Sequence, residues 1–122
     1  MRILVCDDDE ALISMIRFKI TRDNIGEVVK AMDGREAMKL IKDNEFDLII
    51  TDINMPFHSG LEITVYVREE LKRATPIIML SADGPEDIVL QALSLGVNDF
   101  MTKPFSPADL SIRIKRLVEN KA

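Results

Sequence analysis

A doubly wound α/β fold, with one five-stranded parallel sheet covered by helices on both faces, is the fold class this sequence predicts. Three observations carry that reading. Residues 3–6, 48–51 and 77–80 are continuous apolar runs, the pattern of parallel strands buried on both faces. Between the runs, apolar residues recur at helical spacing. The runs end directly in polar residues, Asp7-Asp8, Asp52 and Ser81, and Lys103 follows a weaker run. In an open parallel sheet the carboxyl ends of the strands form one rim where ligands bind, so these residues should converge.

The first strand covers residues 3–6, and Asp9 is the expected N-cap of a helix whose buried stripe is Leu12, Met15, Ile16 and Ile20. Val28-Val29 marks a weaker second strand, followed by a helix carrying Ala37, Leu40 and Ile41. Residues 48–51 form the third strand. Ser59 with Glu62 three positions on is a capping-box pattern and opens the third helix. The next stretch, Ile63-Thr64-Val65-Tyr66-Val67, is β-branched and would read as strand on propensity alone. Its cap, and its place between two strand-like runs that need a crossover to pair in parallel, favour helix. Residues 77–80 are the fourth strand and Phe100-Met101 mark the fifth, with a crossover helix between them. Ser106-Pro107 and Asp109 open the last helix, which carries Leu110, Ile114 and Leu117. The result is a flavodoxin-like arrangement, a βα unit repeated five times.

Composition bounds the function. A chain of 122 residues with 47% hydrophobic content has room for one packed domain over residues 1–122. No apolar stretch approaches the ~18–20 residues of a membrane span, and a single Arg before a short strand-like run does not make a signal peptide. A cytoplasmic location is expected. Cys6 is the only cysteine, so no intrachain disulfide can form, and its apolar run makes it a buried filler. A net charge of −5 argues against nucleic-acid binding by this domain alone.

The convergent residues allow a narrow chemistry. Crowded carboxylates repel unless a hard cation sits among them, and Mg²⁺, content with one or two carboxylates plus water and phosphate oxygens, meets that need. A phosphoryl group is the natural guest: one carboxylate attacks as nucleophile while metal, Lys and a hydroxyl neutralise or bond its oxygens. Asp52 is then the phosphorylated residue. The segments at residues 3–10, 47–56, 77–82 and 103–105, with Asp7-Asp8-Asp9, Asp52-Ile53-Asn54-Met55-Pro56, Leu80-Ser81-Ala82 and Lys103-Pro104-Phe105, resemble the signatures of the response-regulator receiver domain of two-component signalling.

That resemblance implies roles residue by residue. Asp8 is the direct Mg²⁺ ligand, Asp7 holds a coordinated water, Asp52 is both ligand and phosphoacceptor, and the backbone carbonyl of Asn54 completes the set; Mn²⁺ can substitute. Ser81 is the switch hydroxyl and Lys103 the cation that pairs with the phosphoryl group, with a cis peptide expected before Pro104. Phe100 holds the switch-aromatic position. Lacking a hydroxyl, it would rotate inward by packing alone, into space vacated by Ser81. Asn54 and Asp83, each two positions beyond an active-site residue, should flank the phosphoryl group and tune its hydrolysis. His58, with no second His or Cys nearby, is an incidental loop residue.

The same resemblance implies partners: a histidine kinase or histidine phosphotransfer protein as donor, and an output domain or protein controlled through the face of the last two helices and last strand. Residues 95–100 and 104–110 look like those of receivers joined to winged-helix transcriptional regulators, so an excised regulatory domain is expected. Such receivers commonly form homodimers through this face. Leu90, Leu93 and Ile112 could supply its apolar patch, and Asp99 and Arg113 an interchain ion pair. Val89 and Asn98 depart from the charged pattern.

Three alternatives fit the residues less well. A haloacid-dehalogenase-like phosphatase would use Asp7-x-Asp9, Ser81 and Lys103, but it leaves the Asp52 motif unexplained and lacks a later acidic pair. In a flavodoxin-like cofactor protein the acids of residues 7–10 would repel a phosphate. A phosphorylation-independent pseudo-receiver usually lacks part of the set retained here. The expected role is a phosphoacceptor signalling domain with Mg²⁺-dependent self-phosphorylation and self-dephosphorylation, not a turnover enzyme.

Overall fold

The computed structural model describes residues 1–119. Strands and helices alternate: β1 (Arg2–Cys6), α1 (Glu10–Arg22), β2 (Glu27–Ala31), α2 (Gly34–Asp43), β3 (Leu48–Asp52), α3 (Gly60–Val65), β4 (Ile77–Ser81), α4 (Glu86–Ser94), β5 (Asp99–Thr102) and α5 (Pro107–Glu119). All strand pairs are parallel, in the order β2-β1-β3-β4-β5. The five predicted strands are therefore present, each one to three residues longer than its apolar run.

Alternation along the strands divides the core. Ile3, Val5, Leu48, Ile50, Ile78 and Leu80 face α1 and α5 and meet Ile13, Ile16, Leu110 and Ile114. Leu4, Cys6, Ile49, Ile77 and Met79 face the other way, against Ala37, Ile41, Ile63 and Ala92 of α2, α3 and α4 and against Val67 just beyond α3. A buried Ile or Leu is worth ~1.5–3 kcal/mol, so each face gives several helices reason to dock. Cys6 is fully buried, and burial pushes its thiol well above the ordinary range, which fits a filler role.

The caps expected from the sequence form. Asp9 accepts from Leu12 N at 3.2 Å, and Ser59 and Glu62 complete a capping box. Ser106 Oγ accepts from Asp109 N at 3.3 Å, and the Lys103–Pro104 peptide is cis. The β-branched stretch is helical, as the crossover demands. Its continuation was not foreseen: Tyr66–Glu70 form a π-helical turn, with Leu71 N bonding Tyr66 O at 3.0 Å. Arg68, carried by this turn, donates to Gly96 O, Arg73 O and Asn98 Oδ1, tying the end of α3 to the loop before β5.

Candidate functional site

β1 lies between β2 and β3, so chain direction across the sheet reverses there and leaves a crevice beyond the strand ends. Register puts Cys6 beside Thr51, so Asp7 and Asp52 emerge side by side. Lys103 follows β5 at the same rim. The topology thus brings together groups nearly a hundred residues apart.

Lys103 Nζ sits between two carboxylates, 2.8 Å from Asp7 Oδ2 and 3.2 Å from Asp52 Oδ1. Asp7 is fully buried, and its other oxygen accepts from Asp9 N at 2.9 Å. Asp52 is nearly as buried, whereas Asp8 is exposed. One oxygen each of Asp7, Asp8 and Asp52 lies within 4.8 Å of the others. A single ammonium cannot neutralise three carboxylates. Burial pushes the Asp52 carboxyl above the usual range; Lys103 opposes that push, and the charges of Asp7 and Asp8 add to it. Burial works against the Lys103 ammonium, but its bond to Asp7 and the charge of Asp52 outweigh that and hold its pKa high.

This donor set consists of carboxylate oxygens alone, without imidazole or thiolate, and it retains excess negative charge. Both properties fit Mg²⁺ or Mn²⁺ and neither suits a soft metal. Asn54 is exposed in the loop after β3. His58 is not in the group: its Nδ1 lies 3.2 Å from Glu62 Oε2, as an incidental loop side chain allows.

Ser81 is buried at the end of β4, opposite Thr102, but its hydroxyl turns toward its own loop. It bonds the carbonyl of Asp83 and accepts from the Asp83 amide at 3.2 Å. Asp83 itself is exposed. Phe100 is half-buried and packs against the cluster containing Ala92 and Val97. A Cβ added to Gly84 would lie 2.8 Å from Thr102 Cγ2 and 3.2 Å from Phe100 Cε1, so the loop after β4 rests on β5.

On the output face, Asp99 and Arg113 already pair within the single chain. Arg113 Nη1 bonds Asp99 Oδ1 of its own chain at 2.7 Å, and Nε reaches Asp109 Oδ1 at 3.3 Å. Within the chain, the pair joins the start of β5 to the middle of α5. Asn98 receives Arg68 and the Ile77 amide instead of joining this network. Leu90, Leu93 and Ile112 are exposed, at 58%, 44% and 56%.

Sequence reasoning missed the bracing role of two glycines. Gly34 N bonds Pro56 O at 2.9 Å, and a Cβ at Gly34 would come within 2.2 Å of His58 O. Only glycine lets α2 brace the loop that follows Asp52. The Asp33-Gly34 pair, a cap followed by the smallest residue, was the available signal. Gly60 does the same for β3, its position lying within 2.5 Å of Asp52 O for any added Cβ.

Residues 3–115 match the family described as response regulator receiver domain. Among curated relatives, the alkaline phosphatase synthesis transcriptional regulatory protein PhoP of Bacillus subtilis is 36% identical over 117 residues, covering 96% of this chain and 48% of the relative. Transcriptional regulatory protein ResD of the same organism is 38% identical over the same shares. The chain spans about half the length of these relatives. Among solved structures, the receiver domain of Francisella response regulator 1452 superposes with a TM-score of 0.92 at 33% identity, covering 99% of this chain and 98% of the other. Match, topology and rim agree, and the chain belongs to the response regulator receiver domain family of two-component signalling.

Proposed function

We propose that Asp52 accepts a phosphoryl group from a histidine kinase or histidine phosphotransfer protein, in a Mg²⁺-dependent reaction, and that the α4-β5-α5 face then controls an output domain or partner. One observation supports this above the rest: a nearly buried carboxylate held 3.2 Å from Lys103 Nζ within a carboxylate cluster that is short of positive charge. An oxygen of Asp52 attacks the phosphorus, the bond from phosphorus to the donor's imidazole nitrogen breaks, and that nitrogen takes up a proton. The product is an acyl phosphate on Asp52. Mg²⁺, held by Asp7, Asp8, Asp52 and the Asn54 carbonyl, would supply charge neutralisation at the phosphoryl oxygens.

Lys103 is already placed to trade part of its contact with Asp52 for the new phosphoryl oxygens. Ser81, released from Asp83, would donate to another. Its departure opens space beside β5 for Phe100, and the ring's movement carries the signal to the exposed Leu90, Leu93 and Ile112, where a homodimer or an output domain would dock. The domain acts as a phosphoacceptor in the cytoplasm, with self-dephosphorylation ending the signal. The test is incubation with acetyl phosphate and Mg²⁺, followed by intact-mass and peptide mass spectrometry. Phosphate on Asp52, lost in Asp52→Asn and in EDTA, is expected; labelling that persists unchanged in Asp52→Asn would overturn the assignment.

A further inference from the structure

The outer face of α2 carries a feature that phosphoryl transfer does not use. Arg35, Lys39 and Lys42 are spaced by four and three residues, so they lie on one side of the helix, and all three are exposed. None has an ion-pair partner among the described residues. In a chain of net charge −5 this stripe is a local reversal of sign.

Beside the stripe the surface is concave and apolar. A recess of ≈ 540 Å³ runs between α2, α3 and α4, with Met38, Leu61, Val65, Tyr66 and Leu95 among its walls. A smaller one of ≈ 330 Å³ shares Met38, His58 and Tyr66 with it and is flanked by the three cations. At the end nearest the phosphoryl site stands Phe57, 62% exposed, with a φ of +73° that bulky side chains rarely adopt. Its ring stacks on Arg35, whose Cζ lies 3.9 Å from the centroid. An exposed aromatic in unfavourable backbone, an unpaired cationic stripe and an apolar recess therefore adjoin one another.

We infer that this face docks an acidic amphipathic helix of a partner protein, acids against α2 and apolar side chains in the recess. Charge complementarity selects that occupant. The stripe from Arg35 to Lys42 spans about 10 Å of helix, which matches acids at the same four- and three-residue spacing on a partner helix. The opposite wall carries Glu62 and Glu70, so an occupant must be acidic on one side only. A nucleic-acid backbone, negative toward both walls, fails that condition. The stripe on α2 is separate from the exposed patch of Leu90, Leu93 and Ile112 on α4 and α5.

The experiment uses the whole 122-residue chain. The probe is a fluorescent helical peptide of about 14 residues with Glu along one edge and Leu along the next. Controls are the same peptide with Lys for Glu, a DNA duplex and phosphatidylglycerol vesicles. Saturable anisotropy with the Glu peptide is expected, with amide shifts at Arg35, Met38, Lys39, Lys42 and Tyr66. Joint Lys39→Glu and Lys42→Glu substitution, on exposed positions that leave the fold intact by circular dichroism, should weaken binding by about tenfold or more. Leu61→Ser should weaken it too, and so should Phe57→Gly, whose residue suits the left-handed backbone. Equal binding of the Lys peptide, undiminished binding by the charge-reversed variant, or tighter binding of duplex or vesicles at the same residues would overturn the inference.

Discussion

Asp52→Asn should make the metal-free domain more stable, although it removes the residue on which the proposed function depends. Asp7 and Asp8 bring carboxylate oxygens within 4.8 Å of Asp52. At that distance and an effective dielectric of about 20, each like charge costs about 3.5 kcal/mol. Lys103 at 3.2 Å returns about 5 kcal/mol on the same scale. The balance is about 2 kcal/mol against the Asp52 charge, and burial adds to it. Asp8 is exposed and can swing toward water, which relieves part of the repulsion. The expected gain is therefore about 1–2 kcal/mol, or about 4–8 °C in Tm for a domain of this size. Asparagine conserves the volume, so packing contributes little. The assay is urea and thermal unfolding of both proteins in EDTA, repeated in Mg²⁺, where the parent should gain more than the variant. An Asn variant no more stable than the parent in EDTA would mean that Lys103 already satisfies the cluster and that the argument for a missing cation fails.

Three further outcomes are expected. Asn54→Met combined with Asp83→Lys should lengthen the phosphoryl half-life several-fold, read by loss of label over time, because small polar side chains at these exposed positions leave water room to approach; an unchanged half-life places the control of water elsewhere. Gly34→Ala should cost about 2–3 kcal/mol in urea unfolding, since the new methyl group meets the His58 backbone rather than a movable side chain; a cost below about 0.5 kcal/mol would show that the loop yields freely. Ser111→Ala should destabilise the domain at neutral pH and progressively less in acid. The Ser111 hydroxyl, 2.7 Å from Asp23, and then Lys19 hold that carboxyl below its ordinary range. Such a group stabilises the fold above the unfolded carboxylate pKa and loses that contribution as pH falls through its folded value. The difference between parent and variant should therefore narrow on acidification, and a gap that widens would contradict the hydrogen bond's role.

The strands and the rim were legible because the same requirement writes both. A parallel strand buried on two faces must be apolar throughout, and the residue that follows it must leave the sheet at the ligand-binding end. Asp7, Asp52 and Ser81 could therefore be placed in one crevice from run boundaries alone. Helix α3 was legible against its own propensity, because β3 and β4 pair in parallel and cannot do so without a crossover. The π turn at Tyr66–Glu70 was not, since a turn widened by one residue carries no residue signature of its own.

The contacts that escaped prediction share a cause. Arg113 with Asp99, Arg68 with Gly96 and Asn98, and Gly34 with His58 all join elements whose separation in space depends on how helices settle on the sheet, and no spacing within a sequence encodes that. Polar and close-packed contacts of this kind are decided after the core has fixed the layers. Arg113 illustrates the consequence for signalling. Its guanidinium is already committed to Asp99 and Asp109 within the chain. In the proposed dimer Arg113 would either give up part of these bonds or reach across the interface with its remaining N–H groups, so the intrachain pair alone does not decide the oligomeric state.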